Sequence, residues 1–230
     1  MTEKEYPQAR FERPAGAAEI LLVRHGESRA ARPGNPFPLV DGHGDPELSE
    51  EGRRQAVLVG ERLRHLPIEA VYVTKLRRTQ ETAAPLCRYL GLNPIVEPNL
   101  HEVFLGDWEG GLFRIKAAQN DPLYVRMMLE ERWDIIPGAE PPEVFDERIQ
   151  RGVHHIADNH PDRMVVAVVH GGVIGRIMAH ATGARPFAFL GADNASISHI
   201  VIHEGMIRVR RFNDASHVHE AMSTGAEPPT

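Results

Sequence analysis

Short apolar segments alternate with longer amphipathic segments along most of this 230-residue chain. Strand-length apolar runs rich in β-branched residues fall at residues 19–25, 70–74, 94–97 and 164–170. Helix-length segments fall at residues 49–65, 76–90, 141–159 and 172–182. This alternation is typical of a largely parallel sheet that is covered by its crossover helices. It predicts an α/β fold.

The later part of the chain and its two ends depart from this alternation. Two further strands, at residues 196–203 and 206–211, are joined by Glu204-Gly205, which predicts a hairpin. Residues 113–142 predict a small inserted helical cap that shapes a pocket. Both ends, residues 1–17 and 214–230, are polar and contain prolines, so we expect them to be poorly ordered. A single domain is therefore expected over residues 18–213, a length sufficient for one sizeable core.

Composition excludes several classes of protein. The net charge of -6 comes from 32 acidic and 26 basic side chains without a long run of either sign, so we expect no nucleic-acid partner. No uncharged apolar run approaches the roughly 20 residues that span a bilayer, so we expect no membrane segment. The chain has one cysteine, Cys87, and its N-terminus lacks the pattern of a signal peptide. These features predict a cytoplasmic protein.

Residues suited to catalysis follow the predicted strands. They are Arg24-His25-Gly26, Arg77-Arg78, Glu102 and His170-Gly171-Gly172. Ligands of open parallel sheets bind beyond the carboxyl ends of the strands. We therefore expect these residues to converge on one pocket.

Two histidines and two arginines in this set are suited to phosphoryl transfer. A neutral imidazole is a competent nucleophile near pH 7, which makes His25 the candidate nucleophile. The planar donor array of arginine matches the oxygens of a transferring phosphoryl group, a role for Arg24 and Arg78. His170, held protonated beside the phosphate, would stabilise the developing negative charge.

A glutamate and two glycines complete this set of candidate site residues. Glu102 is the candidate acid that protonates the leaving alkoxide and then takes a proton from the attacking water. Gly26 and Gly171 lack side chains, so their backbone amides can approach an anion closely. Together the residues indicate a phosphatase in which His25 takes the phosphoryl group from a small phosphorylated metabolite and water releases it.

Five segments also resemble, in order, the motifs of the histidine phosphatase superfamily, which is also called the phosphoglycerate-mutase-like superfamily. They are residues 22–28 (LVRHGES), 45–52 (DPELSEEG), 74–83 (TKLRRTQETA), 100–110 (LHEVFLGDWEG) and 169–172 (VHGG). In the third segment Arg78, not Arg77, falls on the phosphate-binding position. The resemblance implies a three-layer α/β/α sandwich, a phosphohistidine on His25, no metal and no other cofactor. It also implies that the cap determines specificity.

The sequence departs from the family pattern at two places. The segment after Glu102 lacks the basic residues of the cofactor-dependent mutases and resembles the phosphatase branch instead. Ala30 and Ala31 replace the usual tryptophan–asparagine pair that follows the first histidine. Asn35 would replace that asparagine only if the loop carries an insertion.

Three other functions stay open at this stage. A 2,3-bisphosphoglycerate-dependent phosphoglycerate mutase would share the fold, as would a non-catalytic phosphoester-binding or scaffold protein. A zinc hydrolase is a further alternative, because two histidines and a glutamate can bind zinc, although two nearby arginines would repel the metal. Sugar phosphates, phosphoglycerate derivatives and nucleotides all remain candidate substrates. The late hairpin offers an edge for a homodimer.

Several other side chains have ordinary structural interpretations. Trp108, Trp133, Met127 and Met128 can line a substrate pocket or belong to the core, and we expect the core. The histidines at 154–155 and 217–219 lack a further ligand at metal spacing, so we expect them to face solvent.

Overall fold

The computed structural model describes residues 5–218 and contains one six-stranded sheet. Its strands are β1 (Ala18–Arg24), β4 (Ile68–Val73), β5 (Ile95–Val96), β6 (Met164–Val169), β7 (Ile197–His203) and β8 (Met206–Asp214), and a separate hairpin is formed by β2 (Leu39–Val40) and β3 (His43–Gly44). The order across the sheet is β5-β4-β6-β1-β7-β8. Strands β5, β4, β6 and β1 pair in parallel, and β7 is antiparallel to both of its neighbours. The expected mostly parallel sheet is confirmed.

Six α-helices accompany the sheet within the described residues. They are α1 (Glu50–Leu63), α2 (Arg77–Leu90), α3 (Leu112–Ala118), α4 (Pro122–Glu130), α5 (Pro142–Asn159) and α6 (Gly171–Thr182). Ser49 caps α1, because its side chain accepts a hydrogen bond from the Gly52 N–H at 3.0 Å. No helix in residues 5–218 is both long enough and apolar enough to cross a bilayer.

Two apolar cores lie on opposite faces of the sheet. Side chains alternate between the faces of a strand, so in β1 Ile20 joins one core and Leu21 the other. The first core contains Phe145 of α5 and also takes in side chains of α6, and the second contains Leu63 of α1 together with side chains of α2. Helices therefore cover both faces, which confirms the α/β sandwich.

The cap consists of α3, α4 and a 3-10 turn at Trp133–Ile135. Met127 is fully buried, as expected for a core residue. Trp108 and Trp133 are also buried, but they border the pocket described below, and so does Met128. These three side chains therefore fit the alternative interpretation, in which they line a pocket.

The structured chain extends beyond the boundary that we expected at residue 213. Strand β8 ends at Asp214, and Val218 packs into the second core with Ala195 and Ile197. His217 lies with its Nε2 at 3.0 Å from the Ala195 carbonyl oxygen, so it packs on the protein instead of facing solvent. Residues 1–4 and 219–230, including His219, lie outside the described residues.

The histidine pair on α5 is also engaged by the protein. His155 Nδ1 is 2.6 Å from a carboxylate oxygen of the buried Glu97, and His154 Nε2 is 3.2 Å from the Gly205 carbonyl oxygen. His155 is nevertheless 57% exposed, as expected, whereas His154 is only partly exposed. The partners come from segments far away in the sequence, which no local pattern indicates.

Candidate active site

The predicted site residues meet at the carboxyl ends of β4, β6 and β1. These strands are neighbours and run in parallel, so the residues that follow them reach the same edge of the sheet. A pocket there is lined by Arg24, His25, Arg78, Glu102 and Gly171. His170 is fully buried, and the centroid of its ring is 5.3 Å from that of His25. All six residues that the sequence singled out are therefore close together.

The hydrogen bonds of His25 leave one of its ring nitrogens unprotonated. Its Nδ1 is 2.8 Å from the Gly26 carbonyl oxygen, which only accepts, so Nδ1 carries the proton. Its Nε2 accepts from Arg78 Nε at 3.2 Å. Burial lowers the pKa of His25 well below its usual value, and the positive charges of Arg78 and Arg24 lower it further. His25 is therefore a neutral imidazole whose Nε2 faces the pocket arginines.

Two buried arginines surround this nitrogen. Arg24 donates from Nη1 to the Ala192 carbonyl oxygen, and Arg78 donates from Nη1 to that of Gly44 at 2.8 Å. Burial lowers the pKa of both, that of Arg78 to about 10, so Arg78 stays protonated at pH 7. The floor of the pocket therefore carries positive charges close together, an arrangement that is suited to binding a phosphate dianion.

A third arginine in the pocket was not found from the sequence. Arg114 of α3 donates to Ser28 Oγ at 2.7 Å and to the Arg29 carbonyl oxygen at 3.0 Å, and it lines the pocket. Burial and then the charge of Arg24 lower its pKa. A single arginine in an amphipathic cap helix carries no local signal, because its partners lie 85 residues earlier in the chain.

Asn35 does not take the place of the missing family asparagine. It is exposed, it does not line the pocket, and its backbone N–H donates to the Arg32 carbonyl oxygen. The basic side chain that reaches the loop after His25 is Arg114 of the cap, through Ser28 and Arg29.

The surroundings of His170 favour its neutral form. Burial lowers its pKa well below the usual value, and the charge of Arg78 lowers it further. Its Nε2 is 3.1 Å from Thr74 Oγ1, whereas its Nδ1 has no hydrogen-bond partner among the described residues. A cation here would be desolvated and surrounded by other cations, and only a bound anion would reverse that balance.

Glu102 is held by the first turn of α6. Its carboxylate accepts from the Gly172 N–H at 3.2 Å and from the Val103 N–H at 3.0 Å. A Cβ at Gly172 would lie 2.6 Å from Glu102 Oε1, so only glycine allows this approach. A Cβ at Gly171 would lie 3.4 Å from Arg24 Nε, so Gly171 leaves room for that guanidinium.

Gly26 has a different role from the one expected. Its N–H donates to Thr82 Oγ1 at 2.9 Å, so this amide is already used within the protein. A Cβ at Gly26 would lie 2.5 Å from the Gly52 carbonyl oxygen. Glycine is therefore required here for close packing of the loop on α1 and not for contact with an anion.

The β2–β3 hairpin fixes Arg78 from the opposite side. Gly44 accepts from Arg78, and the Gly44 N–H donates to Glu109 Oε2 at 2.7 Å. The other oxygen of Glu109 accepts from the Leu105 N–H at 3.0 Å. Glu109 thus connects the loop after Glu102 to the hairpin. This role was not predicted, although Glu109 lies inside the 100–110 motif.

The cavity next to these polar groups measures about 180 Å³, and its remaining lining is mainly apolar, with Phe113, Met128 and Trp133 from the cap and Phe37, Trp108 and Leu190 from outside it. Within residues 5–218, no three His, Cys, Asp or Glu side chains are grouped as ligands of a metal ion would be. The polar floor, which contains Arg24, Arg78 and Arg114, has the composition of an anion site.

Known proteins are similar in sequence to this chain over most of its length. A family model described as "histidine phosphatase superfamily (branch 1)" matches residues 20–215. The chain is 32% identical over 210 residues to "Phosphoglycerate mutase-like protein 4" of Arabidopsis thaliana, covering 88% of each protein. It is 30% identical over 207 residues to "Metal-independent phosphoserine phosphatase" of the same plant, covering 87% of this chain and 83% of that one.

A solved structure gives the same result in three dimensions. The mycobacterial glucosyl-3-phosphoglycerate phosphatase superposes with a TM-score of 0.69 at 28% identity, covering 86% of this chain and 100% of the other. The region that the family model matches, residues 20–215, includes every strand of the sheet from β4 to β8 and all the predicted site residues. The chain therefore belongs to the histidine phosphatase superfamily and is a phosphatase of that type.

Proposed function

We propose that this protein is a metal-independent phosphomonoester hydrolase that acts on a small phosphorylated metabolite through a phosphohistidine on His25. The observation that carries the proposal is the neutral His25, whose Nε2 faces a pocket floor containing Arg24, Arg78 and Arg114. An unprotonated ring nitrogen beside several fixed cations is suited to phosphoryl transfer. A relative whose name includes "metal-independent" is consistent with this chemistry.

The first half of the reaction forms a phosphorus–nitrogen bond. His25 Nε2 attacks the phosphorus atom while the bond from phosphorus to the ester oxygen breaks, and Glu102 gives a proton to the departing alcohol. The phosphate oxygens replace His25 Nε2 as the acceptor of the hydrogen bond from Arg78 Nε. The arriving dianion also favours a proton on His170, which burial and the charge of Arg78 otherwise disfavour.

The second half restores the enzyme. Water attacks the phosphorus atom, Glu102 takes its proton, and the phosphorus–nitrogen bond breaks to give orthophosphate and neutral His25. Each half is a single displacement, and the same carboxyl group acts first as an acid and then as a base.

The experiment is hydrolysis of p-nitrophenyl phosphate in the presence of a chelator. The native chain should turn over, and His25→Ala should lose at least about a thousandfold in kcat/KM. His180→Ala, which removes an exposed histidine of α6, is the matched control and should keep native activity. Rapid acid-free quenching of a labelled substrate should trap phosphate on the native protein and not on His25→Ala.

Three outcomes would contradict the proposal. Activity that the chelator abolishes would restore the zinc hydrolase, and an absence of turnover would favour the scaffold protein. Interconversion of phosphoglycerate isomers without net release of orthophosphate would favour the mutase.

A further inference from the structure

We propose that the natural substrate is the phosphomonoester of an apolar, ring-containing alcohol without a further charged group, an inference that rests on the proposed function of this site. The walls above the phosphate-binding floor carry the argument. They are formed by Phe37, Trp108, Phe113, Met128, Trp133 and Leu190. Ligand sites obtain their affinity from such walls and their orientation from a few polar groups.

The aromatic side chains of the cap form one connected wall. The Phe113 ring lies 6.2 Å from that of Trp108, 6.0 Å from that of Trp133 and 5.8 Å from that of Tyr124, measured between centroids. Trp133 is in turn 4.9 Å from Phe187. Rings at these distances and tilts fix one another, so the wall is preorganised for another ring at little entropic cost.

The charged groups beside this wall are already engaged. Both carboxylate oxygens of Glu109 accept backbone N–H groups, and both terminal nitrogens of Arg114 donate to the loop at Ser28 and Arg29. An ammonium or carboxylate on the alcohol would have to displace these bonds or lie unpaired against rings. Burial of an unpaired charge is costly, so such substrates are disfavoured.

The size of the cavity matches a single ring. Its volume is about 180 Å³, and an apolar cavity of roughly 150 Å³ accepts one benzene molecule. Because this volume also includes the space over Arg24, His25 and Arg78, the pocket has room for no more than one ring beside the phosphate.

The test compares benzyl phosphate with O-phospho-L-serine. Both are phosphate esters of primary alcohols, so the leaving groups are similar and the comparison reports on the pocket. We expect kcat/KM for benzyl phosphate to be about tenfold higher or more, because burial of a ring contributes at least that factor. Equal or higher kcat/KM for phosphoserine or for 3-phosphoglycerate would overturn the inference while leaving the phosphatase intact.

A cap variant tests the wall itself. Phe113→Ala should reduce the ratio of the two kcat/KM values at least about threefold. Leu129→Ala is the matched control, because it removes an apolar side chain of the cap that is 79% exposed and lies outside the pocket. A ratio that is the same in native, Phe113→Ala and Leu129→Ala protein would show that the wall does not select substrates.

Direct binding keeps the inference testable even if no ester is hydrolysed. Calorimetry on the native protein should show 2-phenylethylphosphonate binding about tenfold more tightly than 2-amino-4-phosphonobutyrate. The reverse order would refute the substrate class. Tight binding of the ring compound without turnover would refute the proposed hydrolase and support the substrate class.

Discussion

The protonation of His25 is controlled by charges that come from three different segments. Burial is the largest cause of its lowered pKa, followed by Arg78 of α2 and Arg24 of β1, and Arg114 of the cap adds a smaller effect. Each positive charge favours the neutral ring. The nucleophile therefore stays unprotonated at pH values where an ordinary histidine would be charged.

Removal of one of these charges should move the acid limb of the pH profile. The native kcat/KM should persist below pH 6.5, because the pKa of His25 lies below that value. Arg114→Met removes a cation, favours protonated His25 and raises its pKa, so activity should begin to fall at a higher pH. Lys116→Met, on the same helix but paired with Asp121, should leave the limb in place. A shift to lower pH in Arg114→Met would contradict the electrostatic argument.

The role of Glu102 can be separated from general damage to the site by the choice of leaving group. Glu102→Gln cannot protonate an alkoxide, so kcat for benzyl phosphate should fall by about a hundredfold or more. Nitrophenolate leaves without a proton, so p-nitrophenyl phosphate should lose far less in the phosphorylation step. Glu130→Gln, an exposed change in the cap, should alter neither rate. Equal losses on both esters would remove Glu102 from the acid role.

At the scale of elements, the start of α1 supports the loop that follows His25. The Ser49 hydroxyl caps α1 and also donates to Glu27 Oε1 at 2.6 Å, while the Glu27 N–H donates to Gln55 Oε1 at 2.8 Å. Gly52 faces this loop so closely that a Cβ would lie 1.9 Å from the Glu27 carbonyl oxygen. The helix thus fixes the backbone next to the nucleophile.

Gly52→Ala distinguishes helix propensity from tertiary packing. Alanine in a helix interior is favoured over glycine by about 1 kcal/mol, which would stabilise the protein. The new methyl group would overlap backbone atoms that cannot move separately, and such overpacking costs about 1–3 kcal/mol or more. We expect packing to dominate, with a net loss of about 1 kcal/mol or more in urea unfolding.

Arg53→Ala is the neighbouring control for that experiment. Arg53 is exposed, and its ion pair with Glu81 measures 3.8 Å, so its loss should change the unfolding free energy by less than about 0.5 kcal/mol. If the Gly52→Ala protein were more stable than the native one, the loop after His25 would move to accommodate the new methyl group at little cost in free energy.

At the scale of the whole molecule, the sheet separates two cores that differ in extent. The core under α5 and α6 continues into the cap through Trp108, Met127 and Trp133, whereas the other ends at α1 and α2. The pocket is therefore built on the larger core. Packing there stabilises both the fold and the position of the cap.

Phe145 is the residue that tests this continuity. It is 1% exposed on α5, and Phe145→Ala should cost about 3–5 kcal/mol of unfolding free energy through lost burial and a residual cavity. The adjacent Val144 is 52% exposed, so Val144→Ala should change stability by less than about 0.5 kcal/mol. Urea unfolding of both variants measures the difference. A cost near 1 kcal/mol for Phe145→Ala would indicate a core that collapses readily around the gap.

Local patterns predicted the six strands of the main sheet and the helices that cover it, and together with the family resemblance they gave the positions of six site residues, but they missed the β2–β3 hairpin. Apolar runs predict β1 and β6 because burial on both faces requires them, and parallel strands bring their carboxyl ends together at one edge. The position of His170 after β6 followed from this rule. Its protonation state did not, because it depends on the summed burial and charge of groups from distant segments.

The difference between contacts of chain neighbours and contacts of distant segments also explains which other features could be predicted. Hydrophobic periodicity, capping at Ser49 and the order of the motifs are properties of neighbours in the chain, so they can be read before the chain folds. The pairing of Arg114 with Ser28, the closeness of Gly26 to Gly52 and the packing of Val218 join residues that lie far apart in sequence. Such contacts depend on how the layers pack, and no single segment encodes them.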